Sequence, residues 1–272
     1  YAPIAHWTWN PGGFLYQYGV LDFAGGIVVH ISSGCAALAG ALYLRRGQSG
    51  RRPRVLRPAN IPFVILGTSL LWFGWFGFNA GSAFAADNLA VIAFTTTITA
   101  TACSGLTWIF WDGLKGRKPS AMGFCLGAVV GMVAITPAAG YVDVPQSMCI
   151  GFLASIVSNL VVNSRLKYKL NDTLDVFACH GLGGIIGMLL TGVFASVVVN
   201  KAGANGWLYG NFSLFLHQLL SLLLVVGYSF LVGWGIFKLV DFIYPIRISE
   251  EEEKVGLDIS QHDENYATIA QN

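Results

Sequence analysis

Charge is what this 272-residue chain has least of: Asp, Glu, Lys and Arg make up 11% of it, against 54% apolar residues and a mean hydropathy of +0.60. A soluble domain carries about 25% charged residues, and so few could not cover a soluble surface of this size. That excludes an ordinary cytosolic enzyme, a disordered tail and a nucleic-acid binder. Other signatures are missing too. The five cysteines, Cys35, Cys103, Cys125, Cys149 and Cys179, lie in apolar runs without disulfide or zinc spacing and read as small buried hydrophobes. There is no phosphate-binding loop after a strand, no nucleophile elbow and no HExxH, so nothing points to an enzyme. GLGGIIG, Gly181 to Gly187, lies inside an apolar run and reads as helix packing rather than a nucleotide fingerprint. No signal peptide is visible and the first residue is Tyr1, as expected of a chain that begins inside a longer protein.

What is present is a series of long apolar runs. A bilayer-spanning helix needs about 20 such residues, and seven segments qualify, at roughly 21–44, 61–84, 89–111, 121–142, 147–164, 175–199 and 215–240, the fifth being the shortest. The fold class is therefore all-α integral membrane, a polytopic helical bundle, with a transmembrane domain over 1–247 and a polar tail over 248–272. Basic residues mark the sides. Arg45, Arg46, Arg51, Arg52, Arg54 and Arg57 follow the first span, Lys115, Arg117 and Lys118 the third, and Arg165, Lys167 and Lys169 the fifth. Lys238, Arg247 and Lys254 end or follow the seventh, and Lys201 alone falls on the opposite side. By the positive-inside rule the N-terminal end is outside and the tail is cytoplasmic, in a cell (plasma or inner) membrane.

Ionisable groups within spans are costly and demand a role. His30 lies in DFAGGIVVH on the first span and His180 in DVFACHG on the sixth, each with an aspartate before it on the same helix, Asp22 and Asp175. The two spans run in opposite directions five spans apart, the spacing of an inverted five-helix repeat, which brings both histidines to the midplane as a pore pair. A metal site needs three or four ligands, and no cysteine or carboxylate shares a helical face with either histidine; no cofactor is implied. Asp175 reads as a helix cap; Asp22 reads equally as a cap or as an orienting group at the outer mouth. On the second span, LLWFGWFGFNAGSAF sets Trp72, Trp75 and Phe78 on one face and leads into Asn79, Gly81 and Ser82. Trp7 and Trp9 precede the first span. Aromatic faces with a hydroxyl suit a small desolvated cation.

DFAGGIVVH, WFGWFGFNAGSA, ITPAAGYV and DVFACHG, in this order, resemble the ammonium transporter family (Amt/Mep, with the Rhesus proteins as distant relatives). The resemblance runs along nearly the whole chain. It implies an eleven-span fold of two inverted five-helix repeats plus a last helix, assembled as a homotrimer with one pore per subunit. The seven spans here resemble spans five to eleven, so the chain looks like the C-terminal part, with the first four spans absent. The family's twin pore histidines match His30 and His180, and its outer recruitment tryptophan and serine match Trp9 and Ser82. One of two stacked gating phenylalanines matches Phe78, and its outer-mouth aspartate matches Asp22. Trp75 lines the same vestibule, with Thr136 of ITPAAGYV nearby. The tail resembles the family's cytoplasmic tail, which packs on neighbouring subunits and can contact a PII-type signal protein, although QHDE departs from the usual ending. The resemblance implies transport of ammonium or ammonia across the lipid bilayer: cation recruitment, deprotonation and passage along the histidines. Two alternatives fit the same pattern, a Rhesus-type passive ammonia or carbon dioxide channel and an ammonium-sensing receptor domain.

Overall fold

The computed structural model describes residues 1–44, 58, 60–164 and 172–264, and its regular elements are all helical. A short helix α1 (Ala2–Trp9) and a single turn α2 (Phe14–Gln17) lead to a π-helical turn, Gly26–Ile31, which runs on as α3 (Ser32–Leu44). Next come α4 (Ile61–Ala80), α5 (Asn88–Leu114), α6 (Ala121–Ile135) and α7 (Val144–Ser164). A second π-helical turn, Phe177–Gly181, continues as α8 (Leu182–Phe194), and the long α9 (Phe212–Ile243) follows. Two short helices, α10 (Glu250–Val255) and α11 (Leu257–His262), form the tail. Arg45, Arg46, Arg51, Arg52, Arg54, Arg57, Arg165, Lys167 and Lys169, on which much of the charge asymmetry rests, lie outside the described residues, as do residues 265–272.

Six helical segments among the described residues are long and apolar enough to cross a membrane: Gly26–Leu44, Ile61–Ala83, Asn88–Leu114, Val144–Ser164, Phe177–Phe194 and Phe212–Ile243. The protein is a multi-pass helical membrane protein. Two of the expected span lengths need correction. The fifth, expected to be the shortest, is a full 21-residue helix. The fourth, expected over 121–142, is helical for only 15 residues. Pro137 has no amide to extend the ladder, so the chain closes in tight turns: Thr136 donates to Val133, Ala138 to Ile135 and Tyr141 to Ala138. Apart from Thr136 and the half-buried Tyr141, these turn residues are apolar and buried, which is why a hydropathy window runs through them.

Lipid offers a helix end no hydrogen bonds, so the protein must supply them. Side chains do this at the starts of α4, α5, α6 and α9: Asn60 accepts from Phe63, Asp87 from Leu89 and Ala90, Ser120 from Gly123, and Asn211 from Leu214. Between helices, hydroxyls reach backbone carbonyls: Thr96 to Ala139 at 2.8 Å, Ser104 to Gly127 at 2.6 Å and Ser155 to Ser104 at 2.8 Å. At one end of α5, Arg117 and Asn159 both bind the Asp112 carboxylate, at 2.8 and 3.0 Å, which ties α5 to α7.

One close backbone contact decides where the histidines sit. A Cβ built on Gly34 would lie 2.3 Å from the Gly181 nitrogen and 2.4 Å from its Cα. Only a residue without a side chain lets α3 and the second π-helical turn touch backbone to backbone. Gly187 of GLGGIIG packs in the same manner: a Cβ there would meet the Ala134 carbonyl oxygen at 2.2 Å.

The tail is fastened beneath this crossing. Asp241, near the end of α9, accepts from the Tyr43 hydroxyl at 2.7 Å and the Ile246 amide at 3.1 Å. Arg247 donates to the Leu44 carbonyl at the end of α3 and to Glu253. Ser249 and Glu252 form a reciprocal capping box that starts α10.

Gly34→Ala is expected to destabilise the folded protein by about 1–3 kcal/mol through overpacking, seen as a lowered Tm in detergent or lipid. Gly227→Ala on α9, where a Cβ meets nothing within 4 Å, serves as the control and should leave Tm unchanged or slightly raised. Equal losses in the two variants would contradict the crossing as drawn.

Candidate functional site

Across the Gly34–Gly181 crossing, the two π-helical turns present His30 and His180 to one another. Their Nδ1 atoms are 3.3 Å apart and the ring centroids 5.4 Å, tilted by 38°. Single π turns widen a helix locally and re-aim its side chains. Here one falls at each histidine, although nothing in the composition of either segment announces it.

The turns are held by aspartates. Asp22 is buried; its Oδ1 accepts from Gly25 at 2.9 Å and Gly26 at 2.6 Å, and its Oδ2 from Ile27 at 2.8 Å and Val28 at 3.3 Å. All the amides at the start of the His30 turn thus find an acceptor. Of the two readings of Asp22, the cap is the one these contacts build. On the His180 side the expected cap, Asp175, is corrected. The carboxylate that accepts from Val176 at 2.9 Å and Phe177 at 2.8 Å belongs to Asp172. Asp175 instead takes a left-handed backbone conformation at φ 55° and gives its carbonyl to Cys179. The signal was available: Asp172 precedes His180 by eight residues, the spacing of Asp22 to His30, whereas Asp175 precedes it by five.

Around His30 the site is aromatic. Trp75 stacks on the imidazole at 5.2 Å and 14°, and Phe78 lies at 5.8 Å. Behind them Thr136 forms a polar hub. Its Oγ1 lies 3.3 Å from His30 Nε2, accepts from the Trp75 indole at 3.0 Å, and lies 2.8 Å from the Met132 carbonyl and 3.3 Å from Asn79 Oδ1. Asn79 in turn donates to Thr97 at 2.9 Å. Thr136 and Asn79 are wholly buried. The sequence placed Thr136 near the vestibule; the structure puts it in direct hydrogen-bond contact with the histidine. On the other side the pair faces an apolar cavity of about 610 Å³ whose walls include Val29, Leu70, Leu71 and Phe78 as well as both imidazoles.

Trp9 and Ser82 are anchored separately, and no hydrogen bond joins them among the described residues. The Trp9 indole donates to the Asp22 carbonyl at 2.8 Å, which fixes a ring that stays 37% exposed. The Ser82 hydroxyl donates to the Phe78 carbonyl at 2.9 Å. Its proton is thereby used and its lone pairs are left to accept. Each residue is therefore fixed to a segment that also holds part of the histidine site.

Within a multi-pass helical protein, two facing imidazoles, His30 buried and His180 half-buried, beside an aromatic and otherwise apolar cavity are costly and call for a role. This chain belongs to the ammonium transporter family, whose model matches residues 1–267 under the description Ammonium Transporter Family. It is 46% identical over 264 residues to ammonium transporter Amt1 of Archaeoglobus fulgidus, covering 97% of this chain and 66% of that protein. It is 44% identical over 265 residues to an ammonium transporter of Bacillus subtilis, covering 97% of this chain and 65% of that one. Among solved structures, Candida albicans Mep2 superposes with a TM-score of 0.84 at 38% identity, over 92% of this chain and 57% of that one. A structure titled Sensor Amt Protein gives 0.82 at 27%, over 95% of this chain and 66% of that one. The chain thus spans less than two thirds of the length of the relatives it matches.

Both aspartate caps should prove structural. Asp22→Ala and Asp172→Ala are each expected to cost about 2 kcal/mol, the upper end of the range for N-cap removal, with Asp22→Ala the larger because four amides lose their acceptor. Thermal unfolding of the two variants checks this; a cost for Asp172→Ala below that of an exposed-residue substitution would contradict its role.

Proposed function

We propose that the protein moves ammonium across the membrane by binding the cation at its outer end and passing it, deprotonated, along His30 and His180. The observation that carries the proposal is the facing pair itself, with Nδ1 atoms 3.3 Å apart at an apolar cavity. An imidazole is costly in such a place, and a pair held in register by backbone contact and two buried carboxylates supports a role in passage.

The steps follow from the groups available. Trp9 offers a π face and Ser82 a hydroxyl oxygen, which together replace part of the hydration of a small cation. Taking the bare ion into the apolar interior costs several kcal/mol. Giving up the proton at the outer end avoids most of that cost: neutral ammonia then passes Phe78 and Trp75 into the cavity, and the proton follows separately along the two imidazoles, so that one charge crosses with each ammonia. There the imidazoles supply the polar contacts that the apolar walls lack, and each can accept or donate a proton. Asp22 acts from behind the site, shaping the His30 turn with its carboxylate and holding Trp9 through its carbonyl.

The same reading includes a homotrimer, a transmembrane domain over 1–247, a tail over 248–272 that docks a PII-type partner, and an orientation with Tyr1 outside and the tail in the cytoplasm. The fastening of the tail to α3 through Arg247 and Asp241 supports communication between tail and pore helix. A second reading, in which ammonium binding is sensed rather than followed by transport, is favoured by the likeness to the structure titled Sensor Amt Protein. Saturable binding without current would select it.

Ammonium-evoked current in proteoliposomes, normalised to folded protein, is the test. His180→Ala should abolish most of the current while the protein remains folded; normal current in that variant would overturn the proposal. Trp9→Leu should weaken uptake at low ammonium and leave a smaller deficit at saturation. An unchanged concentration dependence would remove Trp9 from the recruitment site.

A further inference from the structure

We infer that Thr136 decides which nitrogen of each histidine carries the proton, and so leaves Nε2 of His180 as the single open acceptor of the pair. The assignment comes from counting donors and acceptors around one buried hydroxyl. Thr136 Oγ1 has one proton and two acceptor positions, and four groups surround it: the Trp75 indole at 3.0 Å, His30 Nε2 at 3.3 Å, the Met132 carbonyl at 2.8 Å and Asn79 Oδ1 at 3.3 Å. The indole can only donate, so it takes one acceptor position. The Met132 carbonyl can only accept. It lies where α6 runs out: the Thr136 amide donates to Val133 instead, and the Thr136 hydroxyl is what reaches Met132.

The orientation of Asn79 is fixed from further away. Thr97 gives its hydroxyl proton to the Ala93 carbonyl at 2.6 Å, so towards Asn79 it can only accept. The amide nitrogen of Asn79 therefore faces Thr97, and its oxygen faces Thr136. Two acceptors, Met132 and Asn79, thus compete for the one Thr136 proton. Giving it to His30 instead would strand both in a site where Thr136 and Asn79 are 0% exposed and His30 2%, and an unpaired buried acceptor carries its full desolvation cost. What remains for His30 is the second acceptor position of Thr136. His30 fills it by donating, so its proton sits on Nε2 and its Nδ1 is bare.

The rest is forced by the 3.3 Å contact. A bare Nδ1 on His30 needs a donor opposite, so His180 carries its proton on Nδ1, and its Nε2 is bare. Both nitrogens of His30 are then engaged. The His180 ring makes no other hydrogen bond among the described residues and borders the cavity. The open end of the pair is an acceptor, matched to a guest that presents N–H donors. Thr136 is thus a positioning residue: it sets the polarity of the pair without itself facing the cavity. The consequence for flux rests on the transport reading above; the tautomers do not.

The test is ¹⁵N NMR of the histidine side chains in lipid bilayers at neutral pH, in a His6→Gln, His217→Gln, His262→Gln background so that the pair alone is observed. The expected spectrum shows His30 protonated at Nε2 and His180 protonated at Nδ1. Thr136→Ser, which keeps the hydroxyl, should reproduce it. Thr136→Val, which keeps the shape, should lose the single pattern and show mixed tautomers. His30 protonated at Nδ1, or both rings protonated at Nε2, would overturn the inference, as would an unchanged pattern in Thr136→Val. If Thr136→Val does not fold, the parent and Thr136→Ser spectra decide between the same outcomes. The expected spectrum in a protein that carries no ammonium-evoked current would sink the transport reading and leave the tautomers standing.

Discussion

The contact between His30 and His180 depends on two backbones meeting at Gly34 and Gly181. Imidazoles are short side chains, and they reach each other here because their helices come closer than any Cβ would permit. Most other features of the site answer to this constraint. The π turns aim the rings inward from the crossing, Trp75 closes one face of His30, and Thr136 takes up the nitrogen that does not face His180.

A crossing of this kind has a cost that a membrane makes acute. A π turn disturbs the regular ladder, and the start of a helix leaves amides without partners; in lipid neither is relieved by water. The protein meets this with one buried carboxylate at each histidine turn. Asp22 satisfies four amides and Asp172 two. Buried acids in a membrane protein invite a functional reading, and here their first task is to let the histidine-bearing backbone exist. Asp22 adds a second by holding the Trp9 indole through its carbonyl, so the outer aromatic residue and the pore turn share one anchor.

Much of this is legible in the sequence. The apolar runs, the two histidines and the aromatic face of Trp75 and Phe78 follow from periodicity and from the rarity of polar groups in a span. What escaped was what periodicity does not encode. The π turns depend on hydrogen-bond register, which composition does not carry. Asp175 reads as the cap because it stands nearest the helix start, whereas the equal spacing of Asp22–His30 and Asp172–His180 points to Asp172. The short α6 was hidden because the turns after Pro137 are as apolar as a helix would be; they are buried by protein, and hydropathy cannot tell that from burial by lipid. Thr136, beside that proline, lands next to His30 only because α6 stops where it does.

The account treats the two histidines as one device, a facing pair that neither ring can replace alone. A double-substitution cycle on ammonium-evoked current measures this most directly, with His30→Ala, His180→Ala and the double variant reconstituted at matched folded protein. Residues that act as a unit are strongly non-additive. The double variant should therefore lose little more current than either single one. Losses that multiply, so that the double variant falls by the product of the two single factors, would mean that the rings act independently and would contradict the paired site.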